Sequence, residues 1–229
     1  MNQIQNYIKK SQKKNKIENY LFKRIAVYEK DKLPEHISIK NVLLTLEKII
    51  PEHLLNDIDY IVIGSHPEFK KRKINAFYRD GVIYTTNEQD DDADIIDDII
   101  HELSHSLESL YINQIYGDLH LENEFLGKRK RLFQHLKYDG EDVKIKDFMN
   151  PEYSWKFDKH LLKDIGYKKI LMNSQDLFVS PYAVTSLREY YATGFDEYFL
   201  GDREYLENIC PVLFSKMELL LNQEIENET

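Results

Sequence analysis

The chain carries a single cysteine, Cys210, among its 229 residues. No disulfide can form within it, and nothing in its thiol content calls for an oxidising compartment. Long apolar runs are missing as well. Residues 1–16 are polar and basic without the hydrophobic stretch of a signal peptide, and no segment approaches the roughly 20 apolar residues of a membrane span. There is no surplus of positive charge. The net charge of −9 argues against nucleic-acid binding, which draws much of its affinity from a cationic surface. Internal repeats and low-complexity tracts are absent too. These absences lead to the expectation of a cytoplasmic globular protein with no nucleic-acid and no membrane partner. Delivery as an effector, or packaging in a viral particle, would leave no trace of this kind, and the oligomeric state stays open.

What is present suits a globular core. Hydrophobic residues make up 42% of the chain, with 16 Tyr and 11 Phe, enough for one domain with an appended arm. Residues 1–35 read as that arm, helical and polar, with a modest apolar pattern at Ile8, Ile17, Tyr20, Leu21, Ile25 and Tyr28. An amphipathic helix is expected over 39–50, stopped by Pro51. Residues 60–64 form a short β-branched run, read as a strand. Residues 74–78 and 82–86 flank Arg79-Asp80-Gly81, a hairpin signal with Gly at the turn. Further helices are expected over 119–136, 155–165 and 211 to about 225, with a loop over 137–153. The basic runs Lys70–Lys73 and Lys128–Arg131 read as solvated faces. The fold class is α+β, mostly helical, with a small mixed sheet or hairpin.

Between residues 90 and 111 there is no Lys or Arg, and this stretch holds the most informative motif, His101-Glu102-Leu103-Ser104-His105. It matches HExxH. Residues four apart lie on one face of an α-helix, so the two imidazoles can reach one Zn²⁺ and Glu102 stands beside it as a candidate general base. Ile95, Ile96, Ile99, Ile100, Leu103, Leu107 and Leu110 form an apolar stripe at helical spacing, which buries one side of the helix. Asp97, Asp98, His101, His105 and Glu108 border that stripe. The acidic run from Asp90 to Asp98 reads as a helix start rather than a calcium loop, since the EF-hand spacing and its Gly are absent. Asp97, Asp98 and Glu108 are candidates to orient a metal-bound histidine. The blander alternative is a surface helix with two solvated His. His66, His120, His135 and His160 have no ligand spacing.

A catalytic zinc site takes three protein ligands, so one must come from downstream. Residues 179–201 are the most suggestive. Leu187, Tyr191, Phe195 and Phe199 form a helical apolar stripe that Gly201 ends, and Glu189, Thr193, Asp196 and Glu197 share another part of the surface. Ser186 and Glu189 also have the spacing of a capping box, and Glu197, with Tyr190 seven residues before it, is a rival ligand.

At this point the chain resembles a known family. HELSHSLE, followed by Tyr182, six residues, and Glu189-Tyr-Tyr-Ala, is similar to the catalytic domain of lethal-factor-like zinc metallopeptidases, the gluzincins that include the proline-proline endopeptidases. The resemblance spans mainly residues 60–108 and 178–200. It implies a zincin-like catalytic domain over residues 36–229 with an insertion at about 115–151, and one zinc per chain held by His101, His105 and Glu189. It also implies Glu102 as the base that activates a zinc-bound water, Tyr182 as hydrogen-bond donor to the oxyanion, and a protein or peptide as substrate. Thr193 departs from the family, which often has Glu there. The alternatives are an inactive zinc-binding homologue serving as a protein-binding module, and a helical adaptor with a chance HExxH.

Overall fold

The computed structural model of the protein describes residues 19–227, and of residues 223–227 the backbone alone. Its strands are β1 (Asn19–Leu21), β2 (Ile25–Glu29), β3 (Tyr60–Ile63), β4 (Ala76–Arg79) and β5 (Val82–Thr85). Its α-helices are α1 (Ile39–Ile49), α2 (Pro67–Arg72), α3 (Asp92–Leu110), α4 (Ile112–Tyr116), α5 (His120–Tyr138), α6 (Ile145–Phe148), α7 (Trp155–Lys159), α8 (Tyr167–Ser174), α9 (Leu187–Leu200), α10 (Arg203–Ile209) and α11 (Pro211–Asn227). A π-helical turn, His160–Gly166, joins α7 to α8, and a 3-10 turn, Tyr182–Val184, leads into α9. The fold is α+β with a small mixed sheet, as expected. The chain divides into two compact units, one ending at Leu103 and one starting at Ser104. The division falls inside α3, a single uninterrupted helix.

The first unit is built on the sheet, in the order β1-β2-β3-β5-β4. β2, β3 and β5 run parallel, with Val27 opposite Ile61 and Ile61 opposite Ile83, while β1 and β4 add antiparallel at the two edges. Ile25, Val27, Ile61, Ile63 and Ile83 are buried, as β-branched residues of central strands should be. The hairpin of β4 and β5 turns at Asp80 and Gly81, with φ of 50° and 78°. Two consecutive left-handed residues match the twist of the strands they join, and Gly supplies the second at no steric cost. Helix α1 starts at Ser38, whose hydroxyl accepts from Asn41 N–H and which caps the helix. Helix α3 starts the same way: Asp91 Oδ1 accepts from the N–H groups of Ala93 and Asp94, which bears out the helix-start reading of the acidic run.

Residues 19–29 correct one expectation. They are two strands of the sheet and not part of a helical arm. Ile-Ala-Val-Tyr is short enough to fit either period, and pairing with β3 decides it. Residues 30–35 carry no helix or strand, and residues 1–18 of the expected arm lie outside the described residues.

The second unit is helical and aromatic. Tyr190, Tyr191, Ala192 and Phe195 of α9 are all at 1% exposure or less. Tyr190 packs against Phe125 and Phe178. A Cβ at Gly194 would stand 2.1 Å from Leu213 Cδ2, so the glycine is what lets α9 and α11 approach. A second correction falls on α5. Lys128 and Arg129 are buried rather than solvated, at 8% and 0% exposure. Lys128 Nζ donates to Ile209 O. Arg129 donates to Asn150 O and Asp147 O, and its guanidinium lies 4.3 Å from the centroid of Phe157. The expected loop after α5 carries a short helix, α6.

Candidate metal centre

His101 and His105 stand one turn apart on α3, and Glu189 lies in the first turn of α9. Each of the three offers one ligand atom, and these atoms all lie within 4.8 Å of one another. His105 Nε2 and Glu189 Oε2 are 3.8 Å apart. Two ligands of a tetrahedral zinc, bonded at about 2.1 Å, stand roughly 3.4 Å from each other, so the His105–Glu189 pair is close to the spacing that one ion requires. Two imidazoles and one carboxylate fit zinc, and they also suit other divalent first-row metals. The residues therefore fit a metal without selecting zinc alone.

The two α9 acids stand in different surroundings. Ser186 is the N-cap of α9, its hydroxyl accepting from Glu189 N–H at 3.1 Å, so half of the capping box exists. The Glu189 carboxylate nevertheless lies beside His105. Glu197 is at the other end of α9. Its Oε1 accepts from Asp202 N–H at 2.9 Å, and its side chain folds over Gly201, where a Cβ would come within 2.4 Å of it. Glu197 closes the helix terminus and is not in the metal set.

Glu102 is buried, and its Oε2 accepts from Tyr78 N–H at 2.7 Å. Tyr78 is on β4, an edge strand. The candidate base is thus held by the backbone of the sheet. Of the two neighbouring aspartates, Asp98 accepts from Thr85 Oγ1 and Gln89 Nε2, each at 2.7 Å, and so ties α3 to β5. Burial raises the Asp97 pKa, and the charge of His101 opposes that rise.

Glu108 is buried within the second unit. His105 Nδ1 lies 2.8 Å from its Oε2, Arg188 Nε lies 2.9 Å from the same oxygen, and the Tyr116 hydroxyl donates a short bond to Oε1. Burial, then the charge of Glu108, drive the Tyr116 pKa far up, so the phenol keeps its proton. Tyr182 sits on the 3-10 turn ahead of α9 with 44% of its surface exposed. Thr193 turns its hydroxyl to Glu189 O, 2.8 Å away on its own helix.

The other histidines are elsewhere. His66 caps α2 and packs against Phe77. His120 pairs with Asp118, His135 meets Asn173 O, and His160 pairs with Asp164. Sequence reasoning missed Arg188, Tyr116 and the Tyr78 backbone. Arg188 had a signal, as the only basic residue between 179 and 201. Tyr153 was missed as well; burial, Asp158 and the charge of Glu189 raise its pKa, which sets it near the third candidate ligand. Tyr116 and the Tyr78 N–H gave no sign in the sequence.

Comparison with protein-family models, curated proteins and solved structures gives no match for this chain. Among the described residues, no helix is long and apolar enough to cross a membrane.

Proposed function

We propose that the protein is a zinc-dependent metalloendopeptidase with a zincin-like catalytic domain. The observation that carries the reading is the meeting of HExxH with a glutamate far downstream: His101, His105 and Glu189 bring three ligand atoms within 4.8 Å, and the remaining motif acid, Glu102, is held in a fixed place by Tyr78 N–H. A chance motif on a surface helix has no reason to acquire either feature.

His101, His105 and Glu189 would hold the ion. Zinc, when bound, supplies Lewis-acid charge that lowers the pKa of a water and polarises a carbonyl. Glu102 takes the proton of the attacking water and passes it to the leaving amine. Tyr182 donates a hydrogen bond to the carbonyl oxygen as it gains negative charge. Substrate binding falls to β4. Side chains and hydrogen-bonding groups alternate along an edge strand, and since Tyr78 N–H turns away from β5 towards Glu102, the N–H and C=O of Ala76 and the C=O of Tyr78 also turn outward. An extended peptide can pair with them by strand addition.

The test is cleavage of a broad peptide library by zinc-loaded protein, read by mass spectrometry and compared with Glu102→Ala. Cleavage by the wild type at defined sites, lost in the variant, is expected. A zinc-loaded wild type that cuts nothing would instead favour a non-catalytic zinc-binding module.

A further inference from the structure

Glu108 lies three residues beyond His105 on α3, at 9% exposure. Three donors converge on it. Its Oε2 is 2.8 Å from His105 Nδ1 and 2.9 Å from Arg188 Nε, and its Oε1 receives the Tyr116 hydroxyl. Arg188 Nε is also 3.1 Å from His105 Nδ1. The two Arg188 contacts compete, because Nε carries one hydrogen. The carboxylate is nearer and charged, so it takes that hydrogen. His105 Nδ1 then acts as a donor to the same oxygen. A proton on Nδ1 would leave the lone pair to Nε2, the nitrogen 3.8 Å from Glu189 Oε2.

We propose that Glu108, gripped by Arg188 and Tyr116, is the positioning residue that locks His105 in its metal-binding tautomer, and that Arg188 ties this lock to the third ligand. The proposal rests on the reading of His101, His105 and Glu189 as a metal site. Arg188 directly precedes Glu189, so its bond to Glu108 pins the first turn of α9 to α3 within the second unit. One carboxylate thus orients one ligand and, through its arginine, sets the placement of another. Thr193, one turn after Glu189, turns its hydroxyl back to the helix backbone.

The experiment is zinc affinity by chelator competition on the full chain, with nitrogen NMR of the His105 tautomer in the metal-free protein. Glu108→Gln keeps the shape but gives the side chain an amide that can donate to Nδ1. The proton then moves to Nε2, and zinc must displace it. Zinc affinity is expected to fall by about 10- to 100-fold, with His105 shifting to the Nε2–H form. Glu108→Asp should restore part of the affinity and the Nδ1–H form. Tyr116→Phe, which leaves carboxylate and ring intact, should cost a smaller factor and covers the case in which Glu108→Gln does not fold. Wild-type affinity and an unchanged tautomer in Glu108→Gln would overturn the proposal. A wild type that binds no zinc, or a His105→Ala variant that binds it unimpaired, would sink the metal reading. A tautomer shift in Glu108→Gln would then show that the metal reading alone had failed, and an unchanged tautomer that the positioning role of Glu108 had failed with it.

Discussion

Two clusters in the second unit bury a charge, and they satisfy it with different partners. Arg129 is fully buried, donates to the backbone carbonyls of Asn150 and Asp147, and is covered by the faces of Phe125, Phe148 and Phe157. Burial pushes its pKa down to about 10, so it stays charged at neutral pH. Glu108 is nearly as buried but is met by three side chains, one of them a candidate metal ligand. The first arrangement spends its charge on holding the segment 147–150 in place. The second directs its charge at a ring that can bind a ligand. A buried charge is therefore not a mark of function by itself; the partner it orients is.

Substitutions can separate these two roles or erase the difference between them. The largest effect is expected at Glu102, outside both clusters: Glu102→Ala should lower peptidase activity by about 10²–10⁴-fold while zinc remains bound, as measured by turnover and metal content together. Arg129→Ala should act in the opposite sense. It orphans two carbonyls and opens a cavity, at a cost of about 3 kcal/mol in urea denaturation, and the folded fraction should bind zinc as the wild type does. Loss of zinc affinity in folded Arg129→Ala would erase the distinction between the clusters. Gly194→Ala should destabilise by about 1–3 kcal/mol, since its Cβ would meet Leu213 at 2.1 Å. A companion Leu213→Ala substitution should remove the clash, seen as a smaller combined loss than the two single losses added. Glu197→Gln is the mildest. It weakens one bond to Asp202 N–H, costs about 1 kcal/mol or less, and should leave zinc affinity unchanged in the competition assay.

The two clusters were unequally legible in the sequence. HExxH and Glu189 could be paired from spacing and resemblance, and helix ends announced themselves at Pro51 and Gly201. The hairpin was legible because Gly81 marks its turn. Arg129 was misread as a surface residue, because what welcomes a buried guanidinium is a pair of carbonyls some twenty residues away, and a carbonyl has no sequence signature. β2 was misread for a related reason: its fate as a strand is decided by β3, more than thirty residues on. Tyr78 N–H and Tyr116 reach the site the same way, through tertiary placement that no local pattern encodes. Motif spacing and the resemblance named the candidate ligands, and distant contacts supply what holds them.

Zinc stoichiometry and affinity in wild type and Glu189→Ala, with Glu197→Ala alongside, decide whether HExxH and Glu189 form one metal site. About one zinc per chain is expected in the wild type and in Glu197→Ala, and loss of tight binding in Glu189→Ala. Full zinc occupancy in Glu189→Ala, or its loss in Glu197→Ala alone, would contradict the shared site.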